Sequence, residues 1–538
     1  MNKRLIIDSQ LAAQSMSNVF ERGWNWPVPQ ANYDRLVTEV IEWADELHLE
    51  LGDSPRLLTA FLLIKADLLK DLSYYLAGWL DVAKARENGT ELVFSPDQYI
   101  YSSLLSDEFI NRIPTKYNAT SKRGGLKGTI RARLSRIKRA RNNRSASRST
   151  DTARFLIGAN PLAVQITGNE VLRVGFNLDD IARHRPALTE TPGRLSELAD
   201  RISTEVVDAI SRNTLGPSKQ FISHIRYITS THLKKGWRDA GLKSIFSPTS
   251  QNSTLVTGTG SGYAARLLSH QFLSDGFKVI RASHGGEAPL FNDLLWSSIE
   301  LPFATNYVVH GASAAAATTE TITKRTEAAV PQYASSVIAV GSRHHASIRE
   351  AARPPVTNLR KTVSVISESL TGMHRITPHM KPHDVVYMEW HRRLLQDIGR
   401  LGYTVFAKRH PKGMMAGKNI FDDVSTEELL QTSMASIEQR TDVYVIDFAA
   451  AAFMESICTL KPVVFIDLKI RLMRPEVRSF LRKSVAIVDA TFDQDNRVTI
   501  DQSDLREALE TPVDLDARDE FLKQYLLRPS SNVDSLFE

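Results

Sequence analysis

The pattern of hydrophobic and polar positions changes character along the chain. Between about residues 10 and 90, apolar residues recur at the spacing of a helix, most clearly through 33–49 and 57–83. From about residue 250, short apolar runs bounded by turn residues alternate with helical stretches. The first 250 residues are therefore expected to form a helical segment and part of a sheet, and the remainder to form α/β structure.

Residues 253–257, 263–274 and 277–281 predict a strand, a helix and a strand, which make a βαβ unit with a parallel sheet and a right-handed crossover. Two further strands are predicted at 306–310 and 336–340. A second series begins after two consecutive prolines, at 354 and 355. Its predicted strands are 361–367, 403–408, 442–447, 462–467 and 485–489, and its predicted helices are 385–401, 427–438 and 450–459.

Alternation of this density predicts two doubly wound α/β domains that face each other across a cleft. We divide the chain into a mainly helical region at 1–120, a basic linker at 121–150, and two Rossmann-like domains at 151–355 and 356–538. Ligands of open parallel sheets bind beyond the carboxyl ends of the strands. The loops that follow strands are therefore where chemistry is expected.

The composition is that of a globular protein, with 42% hydrophobic and 24% charged residues. The single cysteine, Cys458, excludes an internal disulfide and a cysteine metal cluster. The start of the chain lacks the apolar core of a signal peptide, and no apolar run reaches the roughly 20 residues of a membrane helix. We therefore expect a cytoplasmic protein, with Trp24, Trp26 and the apolar stripe at 61–80 in its core.

Much of the basic excess is local, because eleven lysines and arginines and no acid lie between residues 122 and 148. Such a block attracts polyanions, including the anionic lipid head groups of the inner membrane. Sites for single-stranded nucleic acid interleave cations with aromatic residues for base stacking. No aromatic residue lies between 121 and 150, which disfavours nucleic acid and leaves a peripheral membrane contact or a solvated linker.

The loop after the predicted strand at 277–281 contains His284, Gly285, Gly286 and Glu287. This loop exposes an imidazole at a strand end, and paired glycines let backbone N–H groups turn towards a ligand. The alternative is a plain Gly-Gly turn. We interpret the loop as functional, since a turn alone does not require the histidine and the glutamate.

A second glycine loop, with Gly258, Gly260 and Gly262, also lies between a strand and a helix. Its spacing differs from that of the dinucleotide fingerprint, and no acidic residue ends the next strand, which disfavours an NAD enzyme. We expect this loop to line the cleft. The adjacent pair His344 and His345 is a poor metal site, because neighbouring side chains do not face one ion easily. Phosphate loops, nucleophile elbows and zinc-protease helices are absent from the sequence.

In the second domain, the loop after the predicted strand at 403–408 carries Lys408, Arg409, His410 and Lys412. Cations around a histidine that precedes proline suit a diphosphate, which needs positioned, charge-assisted donors. A solvated basic turn is the alternative.

The loop after the predicted strand at 442–447 contains Asp447 and a run of small residues, and Glu455 follows in the next helix. Small residues at a helix start let a phosphate or a ribose approach, and Glu455 is placed to reach a ribose hydroxyl. Close packing of this helix on its sheet is the alternative.

The order of these motifs resembles that of GT-B glycosyltransferases of bacterial surface polysaccharide biosynthesis. The motifs are His-Gly-Gly, then Lys-x-His-Pro, then an aspartate, small residues and a glutamate before Lys-Pro-Val-Val-Phe-Ile, over about residues 250–490. Similar families are the capsule Kdo transferases, polysialyltransferases, teichoic acid glycerophosphate transferases and surface-carbohydrate transferases. One departure is that alanines at 449–452 replace the serine often found there.

The resemblance implies a GT-B-like fold and transfer of a sugar from a nucleotide-activated donor, with a CMP-linked donor favoured, to a surface-polysaccharide or lipid-linked acceptor. It implies that His410 contacts the donor phosphate, Glu455 the ribose, and that His284 lies near the reacting centre. We expect Lys408, Arg409 and Lys412 to help stabilise the leaving phosphate without a metal or other cofactor, and His284 or Glu287 to take the acceptor's proton. The alternatives are a nucleotide-sugar epimerase, a glycerophosphotransferase and a non-catalytic relative.

Overall fold

The computed structural model describes most of the chain outside the segment between the fourth helix and the first sheet. The described residues are 3–14, 24, 26–95, 99–105, 154–168, 171–173, 193–214, 216–242, 252–292, 294–324, 334, 336–353, 361–370, 382–411, 413, 415, 417–430 and 432–537. The predicted basic linker at 121–150, and with it the membrane contact through 122–148, lies outside these residues.

The N-terminal region is mainly helical, as the periodicity predicts. Its helices are α1 (Ser9–Gln14), α2 (Gln30–Glu50), α3 (Pro55–Glu87) and α4 (Tyr99–Leu105). A parallel pair that the pattern did not predict, β1 (Lys3–Ile6) with β2 (Thr90–Val93), ties the two ends of this region together. Helix α3 is buried along most of its length, so it forms the centre of the helical region.

The first domain is a six-stranded parallel sheet with the strand order β4-β3-β5-β6-β7-β8. Its strands are β3 (Arg154–Ile157), β4 (Leu172–Arg173), β5 (Thr254–Thr257), β6 (Lys278–Ala282), β7 (Asn306–Val309) and β8 (Ser336–Ala339). Its helices are α5 (Pro161–Thr167), α6 (Gly193–Ser211), α7 (Lys219–Ala240), α8 (Tyr263–Ser274), α9 (Leu294–Glu300), α10 (Ala312–Lys324) and α11 (Arg343–Ala351). Helices α6 and α7 leave the sheet and pack against the N-terminal helices, so the helical region is built from two separate parts of the chain.

The second domain is a second six-stranded parallel sheet, with the strand order β11-β10-β9-β12-β13-β14. Its strands are β9 (Thr362–Ile366), β10 (Thr404–Lys408), β11 (Glu427–Leu429), β12 (Val443–Ile446), β13 (Val463–Asp467) and β14 (Ala486–Asp489), followed by the hairpin β15 (Thr491–Phe492) and β16 (Val498–Thr499). Its helices are α12 (Asp384–Arg400), α13 (Met434–Glu438), α14 (Ala451–Ile457), α15 (Pro475–Leu481), α16 (Gln502–Glu510) and α17 (Leu515–Leu522). The two sheets confirm the expected α/β architecture of two Rossmann-type domains with a helical N-terminal segment.

One predicted helix, at 427–438, is wrong in its first half. Residues 427–429 form the edge strand β11 beside β10, and only 434–438 are helical. The buried Glu428 carboxylate accepts hydrogen bonds from the backbone N–H groups of Ile420 and Phe421 and from Arg409. These partners lie outside the segment itself, and they hold it extended despite its helical residue pattern.

Both ends of the chain cross from one domain to the other. Near the start, the Trp24 indole donates to the carbonyl of Asp495 at 3.0 Å, and the N–H of Gln30 donates to the Asn496 side chain at 2.8 Å, both in the hairpin of the second domain. At the end, the chain leaves α17 through one π-helical segment, Lys523–Leu527, and then packs along the first sheet. There the Lys278 ammonium donates to the carbonyl of Leu536 at 3.2 Å. The second domain is therefore connected to the helical region by residues 24–30 and to the first sheet by the segment after α17.

Trp24 and Trp26 are buried, as is the stripe along α3, which agrees with the predicted core. No helix within the described ranges combines the length and the apolar character that a membrane crossing requires.

Candidate functional site

The carboxyl ends of the two sheets face each other, and the loops that follow the strands meet there. The imidazole of His344, after β8, lies 3.1 Å from the carboxylate of Glu455 in α14. A Cβ atom placed on Gly285, after β6, would lie 3.4 Å from the backbone nitrogen of Ala451. The predicted loops of the two domains are therefore in direct contact across the cleft.

The loop after β6 has the backbone that its sequence predicts. Gly285 and Gly286 have φ angles of +79° and +90°, which residues other than glycine rarely adopt. The carboxylate of Glu287 folds back over Gly285, where it occupies the space of an absent Cβ atom. His284 is exposed at the tip of the loop, whereas Glu287 is half-buried.

Histidines follow three consecutive parallel strands of the first sheet, which places them side by side at one edge. His310 follows β7, and its ring makes an edge contact with His345, at 5.3 Å between centroids. His345 in turn lies 5.2 Å from the ring of His344. The hydroxyl of Ser342 lies 2.8 Å from Nδ1 of His345 and fixes its orientation. His284, after β6, completes the row.

Burial keeps the inner two imidazoles of this row neutral. It lowers the pKa of His310 to about 3, with smaller contributions from His345, His344 and His284. Burial and the nearby His344 lower the pKa of His345 to about 4. Sequence reasoning did not include His310 and set His344 aside. The signal that could have found them is the recurrence of a histidine within five residues of the end of each of three neighbouring strands.

The basic loop of the second domain divides into structural and accessible residues. Arg409 is buried and donates to the Glu428 carboxylate at 2.8 Å and to the carbonyl of Met415 at 2.8 Å, so its charge is used within the domain. Lys408 is also buried. Burial lowers the pKa of its ammonium, and the nearby Glu455 carboxylate opposes that shift. Lys408 therefore feels the charge of the carboxylate that was predicted to bind ribose, while its ammonium donates to the carbonyl of Arg409 at 3.3 Å.

His410 is half-buried, and its Nε2 lies 3.9 Å from the buried carboxylate of Glu368. This distance exceeds that of a hydrogen bond, so the contact is an electrostatic one. Among the described histidines of the second domain, His383 and His391 are buried and His410 is the one with an accessible ring. Lys412, the fourth predicted residue of this loop, lies outside the described residues.

Asp447, at the end of β12, is held by helix α12 rather than facing the cleft. Its carboxylate accepts hydrogen bonds from the hydroxyl of Tyr387 at 2.7 Å and from the indole of Trp390 at 2.8 Å, and it lies 2.9 Å from Nε2 of His391. Burial alone would raise the pKa of Asp447, but attraction to His391 and these hydrogen bonds lower it overall. The network fixes the loop that leads into α14 and Glu455.

The glycine loop after β5 is closed by the protein's own groups. Cβ atoms on Gly258 and Gly260 would collide with backbone carbonyls of neighbouring segments, so both glycines permit close packing. The carboxylate of Glu300 accepts a hydrogen bond from the N–H of Gly260 at 2.9 Å. Arg266 donates to the carbonyl of Gly260 at 2.7 Å. Gly262 has open space beside it at the start of α8.

A cavity of about 20 Å³ lies between the loops after β12 and β13 and the first-domain residue Phe291. The guanidinium of Arg471 closes it by stacking on Phe291 at 4.1 Å and by donating to the carbonyl of Ala449 at 2.9 Å. Pockets for small molecules usually measure about 300–1,000 Å³. A ligand of that size does not fit into this cavity in the conformation of the structure.

A cluster of three or more histidine, cysteine, aspartate or glutamate side chains arranged to hold a metal ion is not found within the described part of the chain. The expectation of metal-independent chemistry remains a prediction.

Comparison with known proteins adds few findings. No family model and no curated protein matches the sequence. Among solved structures, the complex of S. aureus MnaA with UDP has a TM-score of 0.34 at 13% identity, covering 70% of this chain and 93% of that one. The UDP-glucosyltransferase of Polygonum tinctorium that glucosylates indoxyl has a TM-score of 0.34 at 10% identity, with coverages of 70% and 94%.

The glycosyltransferase SsfS6 of Streptomyces sp. SF2575, in complex with thymidine diphosphate, has a TM-score of 0.28 at 13% identity, with coverages of 63% and 88%. Scores this low support no statement about activity. The fold described above rests on the two sheets and their strand orders.

Proposed function

We propose that this protein is a GT-B glycosyltransferase that moves a sugar from a nucleotide-activated donor, with a CMP-linked donor favoured, to a surface-polysaccharide or lipid-linked acceptor in the cytoplasm. The observation that carries the proposal is the cross-cleft arrangement. At the carboxyl edges of the two sheets, the His-Gly-Gly loop packs against the start of α14 at Ala451, and His344 lies 3.1 Å from Glu455, whose carboxylate acts electrostatically on Lys408. The order of the same motifs in the sequence resembles that of surface-polymer transferases.

In the proposed reaction, the bond between the sugar carbon and the donor phosphate breaks, and its electron pair remains on the phosphate. The acceptor oxygen bonds to the sugar carbon, and the acceptor's proton passes to a base. Lys408 and His410 stabilise the leaving phosphate, because both are cationic or hydrogen-bonding groups at the cleft. Arg409 acts indirectly by shaping their loop, since its guanidinium is bonded within the domain.

The base is His284 in this proposal, and Glu287 supports the shape of the loop. His284 is exposed on the loop that contacts the second domain, and a ring nitrogen of imidazole can accept a proton. The Glu287 carboxylate folds over Gly285 and is half-buried there. Glu455 binds the ribose once His344 releases it. Closure of the domains around the donor then excludes water.

Binding is tested by thermal shift against CMP, CDP, UDP, GDP and their sugar conjugates. A ligand at 100 times its dissociation constant adds about 2.7 kcal/mol to the free energy of unfolding. We expect a shift with one nucleotide series that is lost in His410→Ala and kept in Arg440→Ala. Arg440 is a matched control, because it is an exposed cation of the same domain that pairs with Glu427. The absence of a shift with every nucleotide would contradict the proposal.

Turnover separates the transferase from its alternatives. A transferase releases free nucleotide faster when an acceptor is added, whereas an epimerase changes the sugar and keeps it attached to the nucleotide. Transfer of a glycerophosphate unit would release CMP from CDP-glycerol. Binding of a nucleotide without any of these reactions would indicate a non-catalytic relative.

A further inference from the structure

The imidazole of His310 is the most unusual polar group at the edge of the first sheet. Its side chain is 3% exposed. Its Nδ1 is wholly buried, and the described residues supply no hydrogen-bond partner for it. Buried polar groups nearly always have a partner, and one without a partner requires an explanation.

The position of the ring shows which nitrogen is blocked. A Cβ atom on Gly286 would lie 3.2 Å from Nδ1 of His310, so this nitrogen packs against the glycine's α-carbon. A buried N–H group without an acceptor costs about 1–3 kcal/mol, and orphaned N–H groups are rarer than orphaned acceptors. The proton of the neutral ring is therefore expected on Nε2, which leaves Nε2–H as the group that can meet a ligand.

The charge of the ring follows from its surroundings. The titratable groups around it are His284 on the loop after β6 and His344 and His345 on α11, and all three oppose its protonation. Leu526 of the C-terminal segment covers the same glycine that packs against Nδ1. With a pKa of about 3, His310 is neutral throughout the physiological range and keeps a single N–H donor.

The row of histidines connects the Nε2–H group of His310 to the side of the cleft where the nucleotide sugar is proposed to bind. His310 contacts His345, His345 contacts His344, and His344 reaches Glu455 in the second domain. A fixed neutral donor in a site closed to water stabilises charge that develops on a substrate oxygen, and it needs no rearrangement to do so.

We propose that His310 is a further catalytic residue, which donates a hydrogen bond from Nε2–H to an oxygen of the donor's leaving phosphate. As the sugar–phosphate bond breaks, negative charge increases on that oxygen and the hydrogen bond strengthens. His310 neither gains nor loses a proton, and the acceptor's proton goes to His284. This inference rests on the proposed function, because it assigns a residue to the same reaction.

The chemical state of the ring is tested without any substrate. In ¹⁵N-histidine-labelled protein, the His310 signals are assigned by their loss in His310→Gln, among the 14 histidines of the chain. We expect a neutral Nε2–H pattern that does not change between pH 5.5 and pH 8.5, because the pKa lies about two units or more below this range. A proton on Nδ1, or a titration midpoint within this range, would overturn the inference.

The catalytic role is tested by variants that keep or remove the donor. The readout is nucleotide release from the sugar conjugate that gives the largest thermal shift. Removing one such donor typically costs about 10²–10³-fold in kcat. We expect a loss of that size in His310→Phe, and recovery to within about ten-fold of wild type in His310→Gln, whose amide N–H replaces Nε2–H. The pH profile of every active variant keeps the midpoint of the wild type.

His270→Phe is the matched control. His270, in α8, is another imidazole of the first domain whose pKa is lowered by burial. Its ring lies outside the histidine row and packs on the ring of Phe303, at 5.2 Å between centroids. We expect full turnover in this variant. Full turnover in His310→Phe, or equal loss in the glutamine and phenylalanine variants, would refute the role. If wild type binds no nucleotide, the proposed function fails and this role fails with it, whereas the ¹⁵N experiment still decides the state of the ring.

Discussion

Replacing Asp447 by alanine tests whether this carboxylate organises the second domain. The substitution leaves three buried donors, on Tyr387, Trp390 and His391, without their acceptor. Each unsatisfied buried donor costs about 1–3 kcal/mol. These costs overlap, so we expect the free energy of unfolding to fall by about 3–5 kcal/mol.

The loss is measured by calorimetry and by near-ultraviolet circular dichroism, which reports the packing of Trp390. For a domain of 150–250 residues, 1 kcal/mol corresponds to about 2–4 °C, so the melting temperature of this domain should fall by roughly 6–20 °C. Asp423→Ala is the matched control. Asp423 pairs with Arg392 of the same helix, but its side chain is 55% exposed, and exposed pairs contribute about 0–1 kcal/mol.

The pH dependence of the difference has a definite sign. The folded-state pKa of Asp447 is lowered overall, so its stabilisation is present above the unfolded value of about 3.9 and is lost as the pH falls through the folded pKa. Wild type should therefore keep its advantage over Asp447→Ala between pH 5 and pH 8. A loss below 1 kcal/mol, together with a large rise in the nucleotide dissociation constant, would refute this reasoning and favour direct contact with the donor.

Three further outcomes follow from the structure. His344→Ala removes the imidazole that competes with the ribose for Glu455. Nucleotide should therefore bind about 2–5-fold more tightly, as measured by calorimetric titration, and unchanged or weaker binding would contradict this. Gly286→Ala should destabilise by about 1–3 kcal/mol in urea unfolding, more than Gly89→Ala, whose φ is also positive but whose surroundings are open. Burial raises the pKa of Asp81 to about 7, so its carboxyl group loses its proton in the folded protein between pH 5 and pH 8. Over that range the free energy of unfolding of wild type should fall by about 3 kcal/mol relative to that of Asp81→Asn. Parallel curves of stability against pH for the two proteins would exclude this.

Periodicity and turn residues predicted most of the second domain and the part of the first sheet from β5 onwards. The βαβ unit at 253–281 was confirmed as β5, α8 and β6. Such runs are buried on both faces, so their residue pattern alone specifies them. The edge strand at 427–429 was misassigned, because buried contacts from Glu428 decide its conformation. The pair β1–β2 was missed, since its strands are four residues each and lie more than 80 residues apart.

The candidate site was predictable where a motif follows a strand and unpredictable where packing decides the role. The His284 loop does contact the start of α14, the helix that carries Glu455, whereas the group that reaches Glu455 itself is His344. Nothing local distinguishes Arg409, which is bonded inside its domain, from His410, which is accessible. The importance of His310 depends on which neighbour fills the space beside Gly286, and that follows only from the three-dimensional arrangement.

The crossing of the C-terminal segment onto the first sheet has a consequence for biosynthesis. The bond between Lys278 and Leu536 joins residues 258 positions apart, and further bonds join residues 312–342 to residues 526–531. Ribosomes add about 5–20 residues per second, so the first sheet waits about 10–50 s for the segment that completes its surface. During that interval its exposed apolar edge is a target for chaperones. Emergence of residues 526–536 from the ribosome, rather than emergence of the first sheet, should therefore be the event after which protease resistance appears.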